Sequence, residues 1–430
     1  MKTWLSDIRV NKRVIQRGII MVLCICSIIN VEIQNILVDA YADTSSNSTI
    51  YERDTSLTVE QLARIKEMAM DKTYIRDIDD FASVEAYQKY LEIKGRYDIS
   101  ETIDPSLLNQ HNTMILASTG SATEKTATKA ITLKNLSQPK TAIQAFYIAV
   151  SYVYTVQRVG STIYLSRLTL SADKKTATYK DQMVLTRFGH CQTLEYFEWK
   201  GKPYFLMSCK DDEGQQKNEN NTPYYWSLQI ARVPYEAGKS YSYTHFKRLC
   251  DITKANKTGT ALGTTKRCDG ALSSDKKTLL VWCRNTNNKM QFTRYNMDKI
   301  NQALDSSSNN YLSCGSQSVK NAWLATVTPA SSSVFEKTES SSMQGLELND
   351  ANCTFIANGA SNQNKFIIKL GSNGGTLGTI KIKNTALIKG TNTEIEGLQL
   401  KGDNVYFGIC NHNKKNSGEQ YIYSVAKSAF

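Results

Sequence analysis

The feature that most constrains the fold of this chain is a phrase that returns five times. A polar residue, usually followed by a small one, opens an apolar alternation that turns and runs back as a second β-rich stretch. The copies open at Gln144-Ala145, Gln192-Thr193, Asp269-Gly270, Gln344-Gly345 and Glu396-Gly397. Their return stretches are Tyr152-Val153-Tyr154, Tyr204-Phe205-Leu206, Leu279 to Trp282, Cys353 to Ile356 and Val405-Tyr406-Phe407. Alternation at period two marks each unit as β. A unit that recurs at blade-like spacing buries its apolar faces only by packing against its neighbours.

A third β-like stretch follows each pair, at 163–168, 225–233, 290–295, 366–370 and 421–425, and fourth strands are expected at 176–185, 246–252, 323–327 and 377–382. Four short strands with their turns are the content of one propeller blade. The fifth copy reaches Phe430 with only three strands laid down, so the stretch Lys129 to Leu136 is expected to supply its fourth and close the ring. The expected fold is all-β, a five-bladed β-propeller over residues 129–430 preceded by a short α-helical N-terminal segment. A stacked sandwich would leave the spacing of the polar-then-small dipeptide unexplained.

Ahead of the repeats, Lys2, Arg9, Lys12, Arg13 and Arg17 precede an uncharged run from Gly18 to Val31, and Ala40-Tyr41-Ala42 stands before Asp43. That order is a secretory signal peptide over residues 1–42, too short in its apolar part to span a bilayer. Residues 43–128 read as a Ser/Thr-rich spacer, two short helices and a linker. Thr58 and Gln61 make a capping box before the stripe Leu62, Ile65, Met68 and Ala69, and a second helix is expected from Ser83 to Gly95.

Export makes the cysteines informative. Two of the ten leave with residues 1–42, and eight remain. An even number in a secreted chain suggests disulfides. Residues facing each other across a hairpin have a constant sum of numbers. Cys268 and Cys283 centre on the turn at Asp275-Lys276, and Cys191 and Cys209 centre on Lys200, so Cys191–Cys209 and Cys268–Cys283 bridges are expected. The pairing of Cys250, Cys314, Cys353 and Cys410 stays open.

The formal net charge is +12, and without residues 1–42, which carry five Lys/Arg and three Asp/Glu, it is +10. Outside a cell such a balance favours anionic wall polymers, glycans and membrane surfaces, and no basic run interleaved with aromatics points to nucleic acid. Neither CxxC nor HExxH spacing occurs, and there is no GxSxG elbow or phosphate loop, so no metal, cofactor or catalytic residue is expected. In a propeller the first strand of every blade lines the axis. Gln144, Gln192, Asp269, Gln344 and Glu396 should therefore converge there, with His190 near the channel mouth and His412 after the second strand of the last repeat. These are the candidate receptor-binding residues. Inner-strand polar groups also serve simply to hold neighbouring blades together. Asp269 with Glu396 is a formal acid/base pair of the glycosidase kind, and Tyr224, Tyr225 and Trp226 are candidates for stacking on sugar rings.

From Gly189 onward the chain resembles the helveticin J family of large, unmodified bacteriocins. The matching phrases are Gly189-His190-Cys191-Gln192-Thr193, Gln229 to Val233, Tyr295 to Asn301, Gln344-Gly345, and Glu396 with Leu398-Gln399. The resemblance implies a secreted antibacterial protein active against related bacteria, a propeller body, and action without hydrolysis of the wall. The reading is thus a non-enzymatic bacteriocin that binds a bacterial cell-surface receptor. The alternatives are a non-toxic, glycan-binding adhesin or a propeller glycosidase.

Overall fold

The computed structural model describes residues 58–70, 89, 90, 93, 121–139, 141–218, 220–412 and 420–430. The signal peptide expected over residues 1–42 lies outside them, as does most of the second helix, of which residues 89, 90 and 93 are helical. The first helix, α1 (Val59–Met70), starts at the expected box. The Thr58 amide donates to Gln61 Oε1 at 2.7 Å and the Gln61 amide to Thr58 Oγ1 at 3.2 Å. Each side chain thereby satisfies an amide that the first helical turn leaves without a partner.

The β body opens with β1 (Thr123–Lys125) and β2 (Thr128–Lys134), then lays down five successive antiparallel runs. The first is β3 (Ile143–Ile148), β4 (Tyr152–Val159), β5 (Thr162–Leu170) and β6 (Thr176–Thr186). The second is β7 (Glu195–Trp199), β8 (Lys202–Asp211), β9 (Ser227–Val233) and, after β10 (Ser240–Ser242), β11 (Arg248–Cys250). In the third, β12 (Thr265–Leu272), β13 (Thr278–Asn285) and β14 (Met290–Asn296) are followed by helix α2 (Met297–Ser306), β15 (Tyr311–Ser313) and the outer strand β16 (Trp323–Val327). The fourth is β17 (Gly345–Leu348), β18 (Thr354–Asn358), β19 (Phe366–Leu370) and β20 (Thr376–Ile382). The fifth is β21 (Thr393–Lys401), β22 (Asn404–Asn411) and β23 (Gln420–Ala426), and its fourth strand is β2, pairing Thr132 with Tyr421 and Leu133 with Gln420. The strand expected at Lys129 to Leu136 does take this place. β2 also runs parallel to β6, so the two ends of the body share one sheet.

Each hydrophobic cluster lies between successive runs. Ala145, Val156 and Leu165 pack on Leu194, Phe205 and Met207, and Phe197, Leu206 and Ile230 on Cys268, Leu279 and Val281. Leu280 and Trp282 meet Leu346 and Ile356, while Phe355 and Ile367 meet Leu398 and Phe407. Ile131 and Leu133 then meet Phe146 and Val153, returning the contact to the first run. β18 and β19 are buried along their whole length because a sheet with neighbours on both faces has no solvent side.

The opening dipeptides sit where the first strands come closest. A Cβ on Gly345 would lie 2.7 Å from the carbonyl carbon of Gly397, and one on Gly397 would lie 3.0 Å from Ala145 Cα. Gly397, at φ +69°, is also the extra residue of a bulge between Glu396 and Leu398. The Gly397 amide donates to Gln344 O at 2.6 Å, and the Gly270 amide to Thr193 Oγ1 at 2.8 Å.

The expected bridges require correction, because all eight cysteines are buried free thiols. Cys268 and Cys283 do face each other across β12 and β13, yet Cys268 Sγ turns to Gln229 O of the neighbouring run, 3.6 Å away. Cys191 precedes β7 in a left-handed conformation (φ +46°), with its thiol toward Thr193 O at 3.7 Å, while Cys209 faces Gln229 across β8 and β9. A disulfide needs both sulfurs turned toward one another, and the Cys268 and Cys191 thiols turn to backbone oxygens instead.

If the small residue is what permits this approach, Gly345→Ala should cost about 1–3 kcal/mol by overpacking against backbone that has nowhere to go. Urea unfolding of the variant should show a clearly lower midpoint; an unchanged midpoint would refute this reading of the dipeptide.

Candidate functional site

Four of the five opening polar residues bond to one another, and Arg267 links the fifth, Asp269, to Gln192. Gln192 Nε2 donates to Glu396 Oε2 at 2.7 Å and to Gln344 Oε1 at 3.2 Å, and Gln144 Nε2 donates to Glu396 Oε1 at 3.3 Å. Asp269 accepts from Ser208 Oγ at 2.9 Å, Thr193 Oγ1 at 3.2 Å and Arg267 Nη2 at 3.1 Å. Arg267 also donates to Gln192 Oε1 and, at 2.6 Å, to Met343 O. The second run thus bonds directly to the third, fourth and fifth. All five opening residues are buried, and burial pushes the carboxyls of Asp269 and Glu396 up, Glu396 well above the ordinary range with Glu394 adding to the shift. Such a group favours its proton, because the charged form has lost its water.

Two residues before each opener, period-two alternation returns to the same face. There stand His190, Arg267 and Glu394. His190 is half-buried, its Nδ1 3.1 Å from the Tyr224 carbonyl oxygen, which can only accept, so Nδ1 carries the hydrogen. Burial, reinforced by Arg158 and Arg267, holds His190 well below the ordinary imidazole range. Its ring lies 4.4 Å from that of Trp226, which also stacks on Tyr224 at 5.1 Å and lies 4.2 Å from the Arg267 guanidinium. Glu394 accepts from Gln344 Nε2 at 2.6 Å and from His412 Nε2 at 3.0 Å. The candidates named from sequence therefore divide: Gln192, Asp269, Gln344 and Glu396 are interior, and His190 and His412 are partly exposed.

A second polar level, missed in the sequence, lies three residues past the openers. Glu195 of the second run accepts from Lys276 Nζ of the third at 3.2 Å. Glu347 of the fourth run is hydrogen-bonded to Glu195 and to the Leu400 amide of the fifth, and Tyr147 of the first lies among them. Burial, then the facing Glu195, hold the Glu347 carboxyl well above the ordinary range. Two bonded carboxyls require a proton between them. Strict alternation predicts an offset of two or four, but Gln192 and Gln344 stand before β7 and β17 begin, outside the regular alternation. The spacing Gln-x-x-Glu in Gln192–Glu195 and Gln344–Glu347 was the available signal.

The family model described as bacteriocin helveticin-J matches residues 121–428. No curated protein matches the chain. Among solved structures it is similar to an exo-β-1,3-galactanase from Phanerochaete chrysosporium with β-1,3-galactotriose. That match has 10% identity and a TM-score of 0.39, covering 70% of this chain and 64% of that one. It is also similar to a GH43 endo-arabinanase from Bacillus licheniformis, at 8% identity and a TM-score of 0.36, over 68% and 96% of the two chains. A GH43_1 enzyme from Xanthomonas citri matches at 9% identity and a TM-score of 0.35, over 70% and 89%. The expectation of a non-enzymatic protein is corrected by these matches to glycoside hydrolases and is withdrawn.

The raised Glu347 carboxyl has a pH consequence. A carboxyl whose folded-state pKa lies above its unfolded value contributes stability that is whole below the unfolded value and lost as pH rises through the folded one. The window opens at about pH 4.3, the ordinary glutamate value. Glu347→Gln keeps a donor toward Glu195 and does not titrate. Across about pH 5 to 9, urea midpoints should fall less steeply for the variant than for the wild type; equal slopes would remove Glu347 from this role.

Proposed function

This chain belongs to the helveticin J family of bacteriocins, and we propose on that premise that it is a secreted antibacterial protein acting on related bacteria through their surface. The observation that carries the reading is the family match, which takes in nearly the whole β body. We read the five antiparallel runs as the five blades of a propeller, held by the interlocked polar residues at its axis. The same reading assigns residues 1–42 to a cleaved signal, and a mature charge of +10 suits an anionic surface. Among the described residues no helix is long and apolar enough to cross a membrane.

One observation favours a second reading, a glycan-binding adhesin without toxicity: the stacked rings of Tyr224, Trp226 and His190 at the partly exposed end of the axis. The test applies purified residues 43–430 to lawns of related strains, with turbidity of isolated walls followed in parallel. Killing without loss of wall turbidity is the expected result. Binding to cells with every strain left viable would replace the bacteriocin by the adhesin, and falling turbidity would assign the killing to wall hydrolysis.

A further inference from the structure

The end of the axis that carries His190 and Trp226 gathers three guanidiniums, of which Arg267 is ion-paired and Arg158 lies near Glu396 and Glu394 without an ion pair to either. β4 and β13 run back from their hairpins to this end, and near their ends stand Arg158 and Arg284. Arg284 faces Arg267 across the β12–β13 ladder. Like charges placed opposite one another destabilise a sheet unless something lies between them. Arg267 is matched by Asp269. Among the described residues, neither Arg158 nor Arg284 forms an ion pair. The guanidinium of Arg158 donates to Gly160 O at 2.7 Å, and that of Arg284 to Ser341 O at 2.8 Å. Burial lowers both guanidinium pKa values, that of Arg284 to about 10 with Arg267 adding to the shift.

Half of the eight buried side-chain atoms that lack a hydrogen-bond partner among the described residues belong to the same place. Arg158 Nε, Arg284 Nε, Gln144 Oε1 and Asn358 Oδ1 are buried and without a partner. Gln144 and Asn358 are 6% and 0% exposed. Gln144 lies at the start of β3, paired with the strand of Arg158, and Asn358 ends β18, so antiparallel pairing brings all four to this end. Buried donors and acceptors without partners are uncommon in folded chains, and a group of them calls for an explanation. Two donors on cations suit an anion, and two amide oxygens suit hydroxyl groups.

Loop length is the third observation. At this end β4 and β5 are joined by Gly160-Ser161 and β13 and β14 by residues 286–289, whereas β8 and β9 are separated by residues 212–226. Long connections inside a compact body commonly carry binding residues. This one is tied down by Asp212, which accepts from the Gly214 and Gln216 amides at 3.0 Å each, and it delivers Tyr224 and Trp226 beside Arg267. Gly189 makes room for it: a Cβ there would stand 2.5 Å from Tyr225 O.

We propose that this end of the axis binds an acidic saccharide, its phosphate or carboxylate held by Arg158 and Arg284 and its sugar ring set against Trp226 and Tyr224. The inference deepens the surface-binding reading and rests on it. Guanidinium forks match the geometry of both anions, and the ring beside them distinguishes a saccharide from a bare ion.

The test measures binding of residues 43–430 to soluble polyglycerol phosphate bearing sugar substituents, to the unsubstituted polymer, to inorganic phosphate and to neutral N-acetylglucosamine oligomers. Tryptophan fluorescence and calorimetry are the readouts. The substituted polymer should bind best. Arg158→Gln and Arg284→Gln should each weaken it about tenfold or more, and Trp226→Ala should erase its advantage over the unsubstituted polymer. Arg158→Lys, which keeps the charge, should fall between, and the polymer should raise the Tm of the wild type, so a variant that fails to fold does not decide the matter. The surface variant Lys202→Gln, which removes one charge as each arginine variant does, should bind as the wild type does. Equal loss in that control, equal binding of the neutral oligomers, binding of inorganic phosphate alone, or no binding at all would overturn the proposal. A wild type that kills in the lawn assay yet binds none of these probes would sink this site alone and leave the bacteriocin reading standing.

Discussion

Everything in the body depends on how closely the first strands of the five runs approach one another. Gly345 against Gly397, Gly397 against Ala145, and Thr193 bonded to the Gly270 amide are contacts that a larger side chain would hold apart. Once the strands are that close, the polar residue beside each small one has no water to turn to. It must bond to its counterparts or remain unsatisfied at a cost of about 1–3 kcal/mol. The dipeptide therefore carries two linked requirements: smallness for approach, and polarity for a network that only approach makes possible. The apolar clusters between successive runs supply the bulk of the burial, while the axis fixes which runs meet.

That network also sets the charge states of the interior. Burial pushes Glu396, Glu347 and Asp269 up, and facing cations, Lys276 for Glu347 and Arg267 for Asp269 and Glu396, only partly offset it. Each level joins several runs. Loss of one member would leave another buried and unpaired, which costs more than the bond itself.

Much of the fold was legible because it rests on period and spacing. The strands at 323–327 and 366–370, the outer strand before the repeats, the Cys268/Cys283 register and the capping box at Thr58 all follow from local pattern. The openers were legible as a converging set because a repeat places equivalent residues equivalently. What failed has a physical cause in each case. Register says which residues face one another, but not where a thiol points, and Cys268 points to the next run. Helix α2, capped by Asn296 and striped by Ile300, Ala303 and Leu304, sits inside a unit that was read as strands only. Arg158 and Arg284 lie on second strands, so their neighbours come from tertiary packing rather than sequence spacing, and the Glu195–Glu347 level was hidden because Gln192 and Gln344 stand before their strands begin.

The two polar levels end the axis differently, and this gives the body a direction. Beyond the openers, every run contributes to a group that closes on itself: a carboxyl pair with its proton, an ammonium, a phenol and a backbone amide. Before the openers, the accounts stay open, with Arg158 and Arg284 outside any ion pair among the described residues, amide oxygens without donors and an aromatic stack brought by a long loop. A structure optimised for stability alone would have matched those cations as it matched Lys276, because an unpaired buried charge is among the larger penalties a fold can carry. Retaining them at one end and not the other is what separates an end that only holds the runs together from the end we propose receives an anion.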